Sequence, residues 1–410
     1  MSGNVLHVAY SSLAIATGGG RTRIISAAKQ AKKHGFILRL LCFVHPPQLL
    51  RLRSLASGRS KLAAEAQCKV YYIPRMPLTR MSWINSVNNR YCGLVVILFC
   101  WLYGIRTVHC HSLRPTIFGI FARRLKSGIN VIADVHGATS AEYLYESELE
   151  HPDKAARQLE ADERRVLQQA DWIIFVSKAM RGYYQDKFGA IYKNSSVIPC
   201  ATDNAIETLN GRRAILRKEH GLADRLVFCY VGSGENYQLP GEMCELFKTI
   251  LRAFPNAFFL IFSHHKDVFL RHLKEAGIDS CDYKVSAVNH PEVFNLLQMG
   301  DFGFLLRDGS VVNQVASPTK FAEYNLCGLP VITTSSVGDF SEMTQQHKLG
   351  CVVDLQNLSD LSILAPFIAE VQKNREEYKE RCSLFAREHL AWDAFGAELD
   401  RIYAFEQKTS

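Results

Sequence analysis

At 410 residues, with 48% hydrophobic and 21% charged residues, the chain has the balance of a soluble globular protein and is too long for one ordinary core, which predicts two domains of about 200 residues. Its net charge of +8 is uneven: residues 1–133 hold 19 Lys/Arg against one acidic residue, Glu65 (net +18), and residues 134–410 hold 29 Lys/Arg against 39 Asp/Glu (net −10). The 12 cysteines include no C-x-x-C pair or zinc-like spacing and lie mostly in apolar runs, so buried reduced thiols of a cytosolic protein are expected rather than a disulfide framework.

In chain order, "NVLHVAYS", "FILRLLCF", "CKVYYIP", "RTVHCHS", "INVIADVH", "ADWIIFVS" and "SSVIPCA" read as short strands. They are near-continuous apolar runs, as parallel strands buried on both faces should be. Residues 5–10 already read as a strand, so no signal peptide is expected there. Helical stretches at 22–34 and 151–169 fall between strands. The second half repeats the pattern in "RLVFCYVGS", "NAFFLIFS", "CDYKVSAV", "DFGFLLR", "LPVITT" and "GCVVD". Alternation of this kind predicts two doubly wound α/β domains joined near residues 201–207.

The basic first half predicts an anionic partner, either nucleic acid or a membrane surface, or else a solvated domain that docks on its acidic partner. Residues 91–105, "YCGLVVILFCWLYGI", carry no charge but fall short of the roughly 20 residues a spanning helix needs. A helix buried against the sheet is expected there. Upstream, residues 48–66 and 74–91 mix Arg and Lys with Leu, Met and Trp, the composition of a membrane-surface element or of solvated helix faces.

Residues 313–334, "NQVASPTKFAEYNLCGLPVITT", carry the clearest chemistry. Ser317 suits an N-cap, Pro318 a first helical position and Gly328 a helix end, which predicts a helix over residues 318–327. Its free first-turn amides would form an anion site. Lys320 and Glu323 stand three apart on one face, and a cation at a helix N-terminus is locally unfavourable unless something anionic binds there. Phosphate for Lys320 and a hydroxylated ring for Glu323 together describe a nucleotide; a plain surface ion pair is the alternative.

With these residues in view, the sequence resembles the retaining glycosyltransferases of the GT-B fold grouped as glycosyltransferase family four. "ASPTKFAEYNLCGLPVI" is similar to the family's C-terminal signature, and "ATGGGRTRIISAAKQAKKHGF" to its N-terminal glycine loop and helix. "ADVHGATSAEY", "ADWIIFVSKAM", "SSVIPCATD" and "FCYVGSGENY" follow in the family's order, and "HLAWDAFGAELDRIY" resembles its last helix.

The resemblance implies two Rossmann-like domains facing a central cleft. Residues 1–203, joined by a last helix at about 391–410, would bind the acceptor, and residues 204–390 the nucleotide-sugar. It implies that Glu323 bonds the ribose, that Arg307 and Lys320 neutralise the diphosphate, and that Ser233, Pro318 and the amides of Ser317 and Thr319 add donor contacts. Gly18, Gly19 and Gly20 would let backbone approach the donor closely; they lack the G-x-G-x-x-G spacing of a dinucleotide site. His136 would touch the transferred sugar, with His111 and Glu142 on the acceptor side. No metal is implied, and the sequence contains no D-x-D triplet. His109 and His111 alternate in "VHCHS", but no third metal ligand is evident from the sequence. Many family members carry a glutamate eight positions before Glu323; here that position is Val315, and Asn313 or Gln314 would take its place.

The reading is a metal-independent retaining glycosyltransferase that uses a UDP- or GDP-linked sugar, with no further cofactor and no nucleic-acid partner. A glycan or lipid-linked acceptor of surface polysaccharide synthesis would be glycosylated in the cytoplasm or at the inner face of the plasma membrane. A nucleotide-sugar epimerase, a sugar-phosphate synthase and a catalytically silent sugar-nucleotide-binding scaffold are the alternatives.

Overall fold

The computed structural model describes residues 3–13, 19–49, 52–77, 82–147, 152–203, 212–288 and 290–405. The chain divides into two compact units, one of Met1–Cys200 with Trp392–Ser410 and one of Ala201–Ala391. Residues 204–211, which include most of the expected linker, lie outside the described residues.

The first unit is built on seven parallel strands: β1 (Asn4–Ala9), β2 (Ile37–Val44), β3 (Lys69–Pro74), β4 (Thr107–His111), β5 (Asn130–Val135), β6 (Trp172–Phe175) and β7 (Ser195–Val197), in the order β3-β2-β1-β4-β5-β6-β7. The second holds β8 (Leu226–Val231), β9 (Ala257–Phe262), β10 (Tyr283–Ser286), β11 (Phe302–Leu305), β12 (Val331–Thr334) and β13 (Gly350–Val353), ordered β10-β9-β8-β11-β12-β13. The thirteen strands of the described residues fall in the apolar runs read from the sequence, β2 extending one residue past its run. In each unit the strand order reverses beside the first strand, between β1 and β4 and between β8 and β11. Ligands of doubly wound sheets bind outside the carboxyl ends of strands at such a reversal.

Small residues set how closely helices approach these sheets. A Cβ on Gly303 in β11 would stand 2.5 Å from the Tyr324 ring, so glycine there lets the Thr319–Leu326 helix lie against the strand. The Tyr324 hydroxyl then accepts a hydrogen bond from the Val231 amide at 2.9 Å, fixing the helix to the end of β8. That helix starts one residue later than expected: Pro318 stands at the cap position and supplies no side-chain cap. Gly328, at φ +74°, ends it, with amide bonds from Gly328 to Asn325 and from Leu329 to Tyr324 that satisfy its last carbonyls.

Two other expectations are corrected. The first helix is Gly19–Lys33, so Gly19 and Gly20 form its first turn instead of a preceding loop, and Gly18 lies outside the described residues. The stretch expected as a buried helix is part of Ser82–Leu102, which buries only one face. Cys92, Val96, Phe99 and Cys100 join the core of the first unit, and Gly93 packs on Phe121, whereas Leu94, Leu98 and Trp101 are exposed. The last helix, Gly396–Tyr403, belongs to the first unit, where Asp393 and Asp400 just before and within it bind Lys33 and His34 at 2.7 Å.

Candidate active site

In the second unit, the expected cations lie beside the strand reversal. β8 runs into Gly232 and Ser233, and β11 into Arg307. Arg307 is 4% exposed and Lys320, in the first turn of the Thr319–Leu326 helix, 8% exposed. Both donate to the same oxygen, Gln238 Oε1, at 2.7 Å and 2.5 Å. Arg307 also donates to the Tyr237 carbonyl at 3.2 Å and covers its ring, while Lys320 lies over the Tyr230 ring, 4.4 Å from its centroid. Among the described residues neither cation forms a salt bridge. Burial, then the Arg307 charge, pushes the Lys320 ammonium well below its ordinary range, with Glu323 opposing. A buried guanidinium and a buried amine held by neutral oxygens beside a helix N-terminus make a site that an anion would stabilise.

Gly232 is the hinge of this arrangement. At φ +152°, a Cβ there would stand 2.7 Å from both Lys320 Nζ and the Tyr230 hydroxyl. Ser233 is half-buried and its carbonyl accepts from Tyr230 at 2.7 Å. Glu323 is buried one turn beyond Lys320, Ser317 is buried, and Pro318 and Thr319 are half-buried. Asn313 and Gln314 differ. Asn313 is 1% exposed and its amide is tied to Asp308 at 2.7 Å and to Ser310, so it braces the loop; Gln314 is exposed and donates to the Gly309 carbonyl. Val315 is buried at the end of the Val311–Gln314 helix, so no carboxylate stands at that position.

In the first unit, His136 follows β5, and its Nε2 donates to Asp134 Oδ2 at 3.0 Å. Its other nitrogen, Nδ1, faces the first turn of the Gly19–Lys33 helix, 3.9 Å from where a Cβ of Gly20 would stand. Beside His136 is a cavity of about 110 Å³ lined by Ser112, Thr116, Gly137, Glu142, Glu163 and Tyr184 among others. Burial, then Glu146 and Glu163, pushes the Glu142 carboxyl up to about 7. The structure thus brings His136, Glu142 and the glycine turn together in this unit.

His111 stands behind that surface. It is 2% exposed, its Nδ1 lies 3.1 Å from Asp134 Oδ2 and its Nε2 3.0 Å from His7 Nδ1, and it does not line the cavity beside His136. The Tyr403 hydroxyl, from the last helix, sits 3.1 Å from His7 Nε2 and 2.8 Å from His109 Nδ1, donating to one and accepting from the other. Arg23 closes the group with three bonds to Asp134, the nearest at 2.7 Å, and two more to the carbonyls of Ile198 and Pro199. Burial alone would raise the Asp134 carboxyl, but Arg23 and then His136 hold it well below the usual range. Burial, then His109, lowers the His111 imidazole to about 3.

His7 is a third nitrogen donor beside His109 and His111 that the sequence spacing does not reveal. Donor atoms of His7, His109 and His111, and of His111, Asp134 and His136, lie within 4.8 Å of one another, a spacing that could hold a cation. Arg23 already brings a fixed positive charge to the shared carboxylate.

Residues 17–205 match the family described as Glycosyltransferase Family 4. No curated protein matches the chain. Among solved structures, sucrose-phosphate synthase from Thermosynechococcus elongatus superposes with a TM-score of 0.72 at 14% identity over 98% of both chains. Alr3699/HepE from Anabaena, solved in complex with UDP, gives 0.71 at 13% identity over 98% of this chain and 99% of that one. A glycosyltransferase from Rickettsia africae gives 0.73 at 12% identity over the whole of both. The chain has the GT-B fold, and the match over residues 17–205 agrees with the family resemblance carried by the motifs. Both expectations drawn from the sequence motifs hold.

Proposed function

We propose that the protein transfers a sugar from a nucleoside-diphosphate-sugar to a hydroxylated acceptor, a saccharide or lipid-linked saccharide, with retention at the anomeric carbon. The observation that carries this reading is the buried Arg307–Lys320 pair sharing Gln238 Oε1 beside a helix N-terminus. Such a pair suits a diphosphate leaving group, whose charge grows as the glycosidic bond breaks. A UDP-linked donor is favoured because HepE, which shares the fold, was solved with UDP.

In this mechanism the bond from the anomeric carbon to the diphosphate oxygen breaks and the acceptor oxygen bonds that carbon on the same face. The acceptor's proton passes to a phosphate oxygen of the departing diphosphate, so the chain supplies no general base. Arg307, Lys320 and the first-turn amides of the Thr319–Leu326 helix hold the leaving group. Glu323 accepts from the ribose, and His136, oriented by Asp134, is assigned to the transferred sugar.

A thermal-shift panel of UDP, GDP, ADP, TDP and CMP and their sugar conjugates tests the reading. One base should stand out, by about 2.7 kcal/mol at 100 times its dissociation constant, and Lys320→Ala should abolish the shift. No shift with any nucleotide would remove the donor assignment. Turnover of the donor that survives Lys320→Ala would remove the mechanism.

A further inference from the structure

We propose that the outward face of the Ser82–Leu102 helix is a docking surface for an anionic lipid bilayer. The centre of that face is Trp83, Val87, Leu94, Leu98 and Trp101, exposed by 66%, 42%, 54%, 50% and 72%. Their spacings of four, seven, four and three residues keep them on one side of a helix, with Arg90 filling the gap. At about 1.5 Å per residue the stripe runs roughly 27 Å from one tryptophan to the other. Leu102, 54% exposed, and Leu125, 61% exposed at the end of the neighbouring Leu113–Leu125 helix, add to the exposed apolar surface.

A stripe this long and apolar on an exposed helix needs an occupant. Charge decides which. Arg90 is the only charged residue in the helix, and residues 1–133 contain a single acidic residue, Glu65. Cations stand along its length. Arg75 precedes Met76, whose amide donates to Asn88, and Arg39 lies 4.0 Å over the Tyr103 ring just past the helix end. Lys126 acts on the thiol of Cys100, and Arg106 is exposed four residues beyond Leu102. A second copy placed on this face would bring two like-charged surfaces together about a two-fold axis. Anionic headgroups meet the same surface with opposite charge, and tryptophans at both ends suit the headgroup boundary of a helix lying in the interface. Among the described residues no helix is long and apolar enough to cross a membrane, which fits a helix that lies on the surface.

The test is sedimentation of the full chain with vesicles of phosphatidylcholine alone or with 30% phosphatidylglycerol, and fluorescence quenching by brominated acyl chains. Wild type should bind the anionic vesicles at least tenfold more strongly than the neutral ones, with tryptophan emission quenched by the bromolipid. Leu94→Glu with Leu98→Glu should lower that binding at least tenfold without moving the melting temperature, since both side chains are half exposed. Quenching in the wild-type protein stands independently of how the variant folds. Three results would each overturn the proposal: no binding to anionic vesicles, binding without quenching that the double variant leaves unchanged, or a stable dimer in solution that the double variant dissociates. Nucleotide binding is read separately, so failure here leaves the transfer reaction intact, and failure there leaves the lipid surface intact.

Discussion

Arg307 and Lys320 meet at a single neutral oxygen, Gln238 Oε1, 2.7 Å from one and 2.5 Å from the other. A shared amide oxygen cannot offset both charges, and burial and Arg307 depress the Lys320 ammonium from its ordinary 10.5. Between the depressed value and 10.5 the unfolded chain holds a proton that the folded chain lacks, so this group makes stability rise with pH across that window. A bound diphosphate reverses the depression. UDP binding should therefore take up a proton. Calorimetry in two buffers of different ionisation enthalpy should give different observed heats, with affinity falling as pH rises. Lys320→Met should remove the buffer dependence and weaken binding about a hundredfold or more. Identical heats in both buffers would refute the coupling.

Gly232→Ala tests the same site through the backbone. The new methyl would stand 2.7 Å from Lys320 Nζ and from the Tyr230 hydroxyl, at φ +152°. Lys320 must shift, so the nucleotide-induced thermal shift should be lost, with an expected stability cost of about 1–3 kcal/mol. Gly182→Ala is the control: it lies within the Lys178–Phe188 helix with nothing within 4 Å of the added Cβ, and should be neutral or stabilising by about 0.5–1 kcal/mol. An unchanged nucleotide shift in Gly232→Ala would show that the loop yields without moving Lys320.

The strands were legible because parallel strands buried on both faces are written as continuous apolar runs. Arg307 stands two residues past β11 and Lys320 in the first turn of a helix, two places that the sequence pattern marks. Gln238 is not marked in this way, since an amide in a single 3-10 turn carries no periodic signal. The histidine group was hidden for a different reason. His7, Arg23, Asp134 and Tyr403 are separated by up to 396 positions between His7 and Tyr403, and only strand pairing and the returning last helix assemble them. Asp134 did leave a trace, a carboxylate inside the apolar run "INVIADVH". The outward stripe of the Ser82–Leu102 helix was missed because a long uncharged run gives no sign of which face the sheet covers.

Asp134 and His136 separate stability from chemistry. The Arg23–Asp134 pair is closed off from solvent, each side chain 1% exposed, so Asp134→Asn leaves a buried guanidinium uncompensated. That should cost about 3–5 kcal/mol in a denaturant melt. His136 is 17% exposed at its side chain, and His136→Ala should change stability by less than about 1 kcal/mol while lowering sugar-transfer kcat by at least about tenfold. A wild-type rate in His136→Ala would take it out of the reaction.

Glu142 should make the protein less stable as pH rises through neutrality. Its carboxyl is pushed up from 4.5 to about 7, first by burial and then by Glu146 and Glu163. Between these values the folded chain keeps a proton that the unfolded chain has released, so the stabilisation is complete below about 4.5 and is lost as pH passes 7. The shift corresponds to about 1–3 kcal/mol, the lower end applying because the carboxyl is only half-buried beside the cavity. Gly137 permits this placement, since a Cβ there would stand 1.8 Å from Glu142 Oε1. Glu142→Gln keeps the shape without the ionisation. Its melting temperature should match wild type at pH 5 and exceed it at pH 8. Parallel pH profiles for the two proteins would mean that Glu142 ionises freely in the fold, and that the cavity beside His136 is wetter than its lining suggests.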